Sequence, residues 1–563
     1  MTPAENFVPA KLLGGDPGAT TANGDPNPAS FSRFVLPFAY RPVLRFDNAN
    51  AMRDTYWIQA QELATPGVDR AERERYFTPE IALLFYTRAQ RLRLAGFAQS
   101  ALQFQAALFA GSEQSVTVCL RAPELLLFEW SAPKEPAEAS DTIDLLQIGL
   151  LIIEAWFLDC DLPLASVMQF NELYRYVQSP FAAHNAAFGM GQVLHNEPLR
   201  NRFKSEHNDS KAVWPDRYQA QHQQDYLTPW LELLAKPVQL NGIWAGLFPK
   251  EMADNASKTT VAARSARAQA MIWPDTRAFV HACAVFPKDT DIATALGAKK
   301  ASDLAEAPVW CKWLNVDGFR VSSVYDSALG MKRAKQPSEY SADLRFASEF
   351  EQDWSKERTY RRWLHFAALY GFSSHSAMML TGFCDEPPTF QHFRSIYFDQ
   401  SCLLLYIRST LFRFSGEITR LASEIRDGSS AEQKAAQKKF RAMDADFALF
   451  VQLYQFPMLS NQQQGLEMYA LQRRHMDIDE LFKEVQDEIR HMHQAIDLQH
   501  DHDFRLIGLG IGLVAILQLI QPLKDWLSAE VPNWWGPAAI CIFAVSALIA
   551  GLVYQAYFKK PRR

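Results

Sequence analysis

The sequence predicts an α/β (or α+β) domain that passes into a long α-helical stalk and ends in two transmembrane helices. Three observations carry this. Extended apolar runs alternate with helical stretches over the first two thirds of the chain, apolar residues then fall at alternating three- and four-residue spacing, and two uncharged segments close it. At 563 residues the chain exceeds what one hydrophobic core can organise. Its net charge of -6 leaves no basic footprint for phosphate backbones, so nucleic acid is not an expected partner. The seven cysteines are scattered and form no C-x-x-C pair, which argues against a disulfide framework or zinc knuckle.

Residues 1–30 are rich in Gly, Pro and Asn and lack the basic and apolar regions of a secretory leader, so a disordered tail is expected. Residues 31–386 read as a cytosolic α/β domain. Its extended runs include FSRFVLPFAY, SVTVCLRA, IGLLIIEAWF, RAFVHACAVF and SAMMLTGF, and Pro79–Ala95 and Ala165–Val177 read as helices. The run from Leu145 to Leu158 is apolar but short, and it holds Gln147 and Glu154, so it reads as a buried core element rather than a span. Polar stretches at Ser131–Asp141, Ser205–Gln224 and Lys250–Ala268 read as loops.

Residues 387–457 turn helical, with Phe390–Ile425, a Gly-Ser break at Asp427–Ser430, and a second helix through Gln455 that ends before Phe456-Pro457. This lead-in is expected to pack on a stalk over residues 458–505. Along the stalk, Met468, Leu471, His475, Ile478, Phe482, Val485, Ile489, Met492 and Ile496 form a heptad seam. It continues through Gln499 and Asp503 to Leu506, Gly510, Leu513, Leu517 and Ile520. One helix from Met468 to Leu523 would be ~80 Å long at 1.5 Å per residue. The alternative is an amphipathic helix packed on its own domain, followed by an unrelated anchor.

Residues 506–523 carry no charge and reach ~27 Å, the thickness of a bilayer core. A second uncharged run covers 535–557, after a loop at 524–534. Arg505 and the basic tail at 558–563, with Lys559, Lys560, Arg562 and Arg563, flank the spans on one side, whereas the loop has only Lys524, so both termini are expected in the cytosol. Gly508 with Gly512, Ser546 with Ala550, and Ala547 with Gly551 make small-residue faces suited to close helix packing. Two spans cannot enclose a pore, so any pore requires several copies.

This arrangement of cytosolic α/β domain, stalk helix, two spans and the basic tail YFKKPRR resembles the CorA family of pentameric magnesium channels. The resemblance covers the C-terminal third and the helical lead-in, and it is architectural. It implies a homo-oligomeric ion channel or transporter, pentameric by resemblance, gated by its cytosolic domain, with the first span lining the pore. The family's Gly-Met-Asn triplet after that span is replaced here by Gln521-Pro522-Leu523-Lys524-Asp525, so magnesium selectivity does not carry over.

The expected pore-lining residues are Gln499, Asp503, Leu506, Gly510, Leu513, Leu517 and Ile520, with Gln521, Lys524 and Asp525 at the outer mouth. Asp503 beside Gln499 can form an acidic ring at the inner mouth, or simply sit in solvent at the membrane surface. His493, Asp497 and His500 share a helical face that can hold a divalent cation, the one cofactor the pattern suggests, or belong to a solvated polar face. No catalytic constellation is expected: Gly371-Phe372-Ser373-Ser374-His375 lacks the closing glycine of a nucleophile elbow, and His281 and Cys283 in an apolar run read as core. Beyond the bilayer and itself, an unidentified cytosolic ligand is the remaining expected partner, which would make the chain a ligand-gated membrane effector. The location expected is a plasma membrane, or an inner membrane in a prokaryote. The contrasting reading is a membrane-anchored sensor or binding protein whose hairpin is only a tether.

Overall fold

A computed structural model describes residues 11–15, 28–40, 57–59, 70–94, 102–107, 115–121, 124–128, 147–159, 161–175, 270–272, 277–288, 290–316, 348–364, 368–382, 388–454 and 458–498, with Gly508, Gly510 and Gly512 beyond. The loops expected at 131–141, 205–224 and 250–268 lie outside these residues.

The strands in chain order are β1 (Lys11–Leu12), β2 (Phe31–Tyr40), β3 (Trp57–Gln59), β4 (Gln90–Leu94), β5 (Leu102–Ala107), β6 (Ser115–Leu120) and β7 (Glu124–Leu127). They continue with β8 (Gln147–Phe157), β9 (Leu162–Pro163), β10 (Ala270–Ile272), β11 (Phe279–Phe286), β12 (Thr359–Tyr360), β13 (Leu369–Phe372) and β14 (Ser376–Gly382). Twelve of them join one sheet, whose main path runs β12-β13-β14-β11-β2-β8-β7-β4-β3. Among the described residues only β11 and β14 pair in parallel. The mixed fold class therefore takes the form of a largely antiparallel sheet with helices laid against it.

β2 is the hinge of the topology. It pairs along its whole length with β8 and, on its other side, with β11 over Phe31–Val35 and with β10 over Phe38–Tyr40. Pro37, which has no N–H to donate, falls in the gap between those two partners. Every residue of β8 and β11 is buried, which is why both read as unbroken apolar runs rather than alternating ones. One face of β2 and β8 meets α3 through Phe34 and Phe157, both against Phe170. The other face carries Phe31 and Trp156, whose rings lie against Phe390. Within the stretch expected to be a tail, residues 11–15 lace onto this framework: Leu12 is fully buried, Leu13 N–H donates to the Val285 carbonyl and Gly15 N–H to that of Phe157.

The helices are α1 (Arg70–Tyr76), α2 (Pro79–Leu83), α3 (Leu164–Tyr174), α4 (Ile292–Leu296), α5 (Pro308–Leu314), α6 (Ser348–Arg358), α7 (Pro388–Arg394), α8 (Ile396–Asp427), α9 (Ser430–Tyr454), α10 (Gln463–His475) and α11 (478–498). The Pro79–Ala95 stretch is a helix only as far as Arg88, its last turn wound as a π-helix, and then becomes β4. Leu92 and its neighbours find β7 and β3 as pairing partners, so the sheet overrides local helical spacing.

Two compact units divide the chain: residues 1–417 with 441–483, and 418–440 with 484–563. In the first, α8 and α9 run antiparallel, with Tyr406 against Tyr454 and Phe414 against Phe447 and Phe450. Phe482, at the start of α11, stacks on Phe450 at 5.9 Å. In the second, Gly428 closes α8 where any Cβ would strike the Glu424 carbonyl. Ser429 and Glu432 then form a reciprocal capping box, Ser429 N–H donating to the Glu432 carboxylate at 2.7 Å, so the Gly-Ser break is a designed reversal. Its buried face comprises Ile418, Leu421, Ile425, Ala436, Phe440, Val485, Ile489, Met492 and Ile496.

The stalk is not one uninterrupted helix. α10 ends at His475, Met476 and Asp477 form a turn, and α11 begins at Ile478. Asp477 takes a left-handed conformation with φ of 55°, a position a short polar side chain tolerates, and Arg473 bridges the turn to Asp479 at 2.6 Å. Most seam residues on both sides of the turn are nonetheless buried within this one chain.

At Gly371 in β13 a Cβ would come within 2.6 Å of Leu314 and 2.8 Å of Trp310, both in buried α5. Gly371→Ala is expected to destabilise the first unit by about 1–3 kcal/mol, the usual cost of overpacking, read from the urea midpoint. A shift below a few tenths would mean that α5 yields freely.

Candidate functional site

Gln499, His500, Asp503, Leu506, Leu513, Leu517, Ile520, Gln521, Lys524, Asp525, Ser546, Ala550 and Gly551 lie outside the described residues. Gly508, Gly510 and Gly512 are helical and exposed, and a Cβ on any of them would meet nothing within 4 Å. His493 and Asp497 lie on the exposed face of α11; the His493 ring meets Phe440 edge-on at 4.9 Å. Among the described residues no group of three His, Cys, Asp or Glu side chains gathers as a metal site, and no helix is long and apolar enough to cross a membrane. The Ser373 hydroxyl is engaged with Ser376 Oγ at 2.7 Å in the β13–β14 turn.

The densest polar chemistry lies instead inside the first unit, where α7 passes into α8 over the centre of the sheet. Register builds its floor. Arg33 on β2 sits opposite Glu154 on β8 and opposite His281 on β11, giving a row of three polar side chains across three buried strands. Arg33 Nε donates to Glu154 Oε2 at 2.8 Å, and Glu154 also accepts from Trp156 Nε1 and, at 3.3 Å, from Arg394 Nη2. Half-buried Arg121 lies 3.7 Å from the same carboxylate.

The helix junction forms the roof. Pro388 starts α7, Ser395 breaks it from α8 with its hydroxyl on the Gln391 carbonyl, and the chain between presents Phe393, Arg394, Phe398 and Asp399 to the sheet. Phe393 stacks on His281 at 4.0 Å, and its carbonyl accepts from His281 Nε2 at 3.0 Å. Arg33 donates to the Arg394 carbonyl and lies 4.3 Å over the Phe398 ring, while the Arg394 guanidinium lies 4.7 Å over Trp156. Asp399, in the first turn of α8, accepts from Arg73 of α1, from Arg91 of β4 at 2.7 Å and from Tyr86 at 2.9 Å. A carboxylate at a helix N-terminus also gains from the positive end of the helix dipole.

These groups set one another's charge. Burial works against the Glu154 carboxylate, but Arg33, Arg394 and Arg121 outweigh it and hold the group well below the usual carboxylate range. Burial likewise opposes the Asp399 charge, and Arg73 and Arg91 overcome it, lowering its pKa. His281 is kept neutral by burial and by the Arg33 charge beside it. Burial dominates at Arg394, bringing it down to about 9, still a cation at neutral pH.

The sequence carried one signal for this site: Arg33 and Glu154 are lone charges inside apolar runs. Such charges are retained only when they find partners. Their partners lie 121 and 361 positions apart, beyond any spacing rule.

No protein-family model matches the chain, and no curated protein or solved structure matches it.

Proposed function

We propose that the chain is a two-span membrane protein in which the sheet unit acts on the bilayer through α11, and that several copies assemble into a CorA-like channel or transporter gated by that unit. The observation that carries this reading is the apolar spacing of α11, Ile478 through Ile496, which continues in step through Leu506, Gly510, Leu513, Leu517 and Ile520. The helical, unobstructed glycines at 508, 510 and 512 support a close-packed first span. Apolar rings at Leu513 and Leu517 would block ions by dewetting in the closed state.

The test is the mass of the purified chain in nanodiscs, followed by single-channel recording. The expected result is a closed ring of copies with stepwise conductance, and constitutive leak in Leu513→Asp or Leu517→Asp. A silent monomer or dimer would sink the channel.

One observation favours a second reading, a tethered sensor or binding protein. The α11 seam is covered inside its own chain, so copies would have to meet along the charged face of the helix or beyond residue 498. In that case the aspartate variants impair insertion without raising conductance.

A further inference from the structure

The break between α10 and α11 lacks the residues that ordinarily stop a helix. Arg473 to Leu481 holds neither glycine nor proline, and the seam keeps helical spacing straight through it, from Leu471 and His475 to Ile478 and Phe482. Two separate helices need no common phase. A phase carried across the turn is what one continuous helix requires, so the same residues also suit an unbroken α10–α11.

What holds the break is small and local. Asp477 is the one non-glycine residue with positive φ among the described residues, a conformation that disfavours an ordinary L residue about five- to thirtyfold. Arg473 Nε and Nη2 both donate to Asp479 Oδ1, at 2.9 and 2.6 Å, and Nη1 donates to the Tyr469 hydroxyl at 2.9 Å. The Asp479 side chain is 66% exposed, so water screens this pair. Residues six apart lie ~9 Å apart along a continuous helix and on different faces, so the Arg473–Asp479 pair belongs to the broken form alone. His475 Nε2 adds a bond to the Glu357 carbonyl of α6 at 3.1 Å.

The backbone at the turn can be re-paired. Asp477 N–H takes the Arg474 carbonyl at 3.2 Å, and Leu481 N–H takes that of Asp477 at 3.0 Å. In an unbroken helix Ile478 N–H would take over the Arg474 carbonyl, and Asp479 and Glu480 N–H would take those of His475 and Met476. These three bonds are absent from the broken form.

We propose that Met476–Asp477 is a two-state joint, at which α10 and α11 interconvert between the broken form and one continuous helix, with the Arg473–Asp479 pair as the latch of the broken form. The exchange sets a screened ion pair and a left-handed residue against three backbone hydrogen bonds. Terms of similar size on the two sides are what a bistable element needs. The joint would give the proposed effector its moving part, and only the consequence at the bilayer rests on that reading.

The experiment is pulsed electron paramagnetic resonance on the full chain in detergent, with spin labels at two exposed positions, Ala470 of α10 and Lys483 of α11, and Tm measured in parallel. A continuous helix places their Cα atoms ~20 Å apart. Two distances are expected, one of them at that value. Asp477→Ala, which raises the cost of the left-handed turn, is expected to increase the ratio of unbroken to broken form about fivefold or more. Asp477→Gly, which bears no such cost, is expected to lower it. Asp479→Asn removes the latch and is expected to raise it about twofold or more. A single distance that none of the three variants moves overturns the proposal and leaves Asp477 as a fixed corner, whose alanine variant only lowers Tm. A shift of Asp477→Ala toward the broken form overturns it equally. Because conductance is not part of this readout, two distances in a silent protein would retain the joint and remove the channel.

Discussion

Replacing Asp399 by alanine is expected to cost the first unit about 3–5 kcal/mol, the range seen when one member of a buried ion network is removed. The loss exceeds the value of the bonds themselves. Arg73 and Arg91 would remain in the interior, 2% and 7% exposed, with their shared acceptor gone. Chemical denaturation of the purified chain measures it, and a loss below about 1 kcal/mol would show that water or another carboxylate reaches these arginines. The pH dependence follows in sign. Asp399 and Glu154 are both depressed in the folded state relative to ordinary values of 3.8 and 4.5, so their stabilisation is complete above that range and is lost as pH falls through the lower folded values. Acid unfolding of the wild type should therefore begin below about pH 4.5, and Asp399→Ala should show a shallower acid limb from a lower starting stability.

Phe482→Ala is the second large effect expected, about 3–5 kcal/mol for loss of a buried aromatic side chain. Its ring is 3% exposed and lies 6.3 Å from Phe447 and 5.9 Å from Phe450, so truncation opens a void between the start of α11 and α9. The urea midpoint reports the loss. A near-neutral result would mean that the helices close over the gap, and that α11 is held elsewhere along its seam.

Much of the fold could be read from pattern alone. The apolar runs at Phe31, Ser115, Gln147, Phe279 and Ser376 are all strands, and the Gly-Ser reversal between α8 and α9 lies where Gly428 and the S-x-x-E capping sequence put it. The signals are local: a strand needs a short apolar run, a cap needs one glycine and one serine. β4 escaped because QRLRL has no composition that distinguishes it from a helix, and only pairing with β7 decides. The break at Met476–Asp477 escaped because no glycine or proline marks it; an aspartate in the left-handed region leaves the apolar spacing almost undisturbed. The ion cluster escaped for a third reason. Arg33, Glu154, Arg394 and Asp399 come from four separate elements, and nothing along the chain announces that they converge.

The position of β2 at the centre of the sheet bears on the order in which the chain is made. Arg33 waits 121 positions for Glu154 and 361 for Arg394, which at about 5–20 residues per second of synthesis is roughly 6–24 s and then about 18–72 s. Until β8 has been made, FSRFVLPFAY is a ten-residue apolar segment without the neighbour it pairs with along its whole length, the kind of segment that pairs with neighbours on the same ribosome cluster. Arg33 and Pro37 interrupt it at two points, a charge and a missing donor, as gatekeeper residues do. The same arginine thus shields the nascent strand from wrong partners and, once β8 and α7 have been translated, fastens it to the right ones.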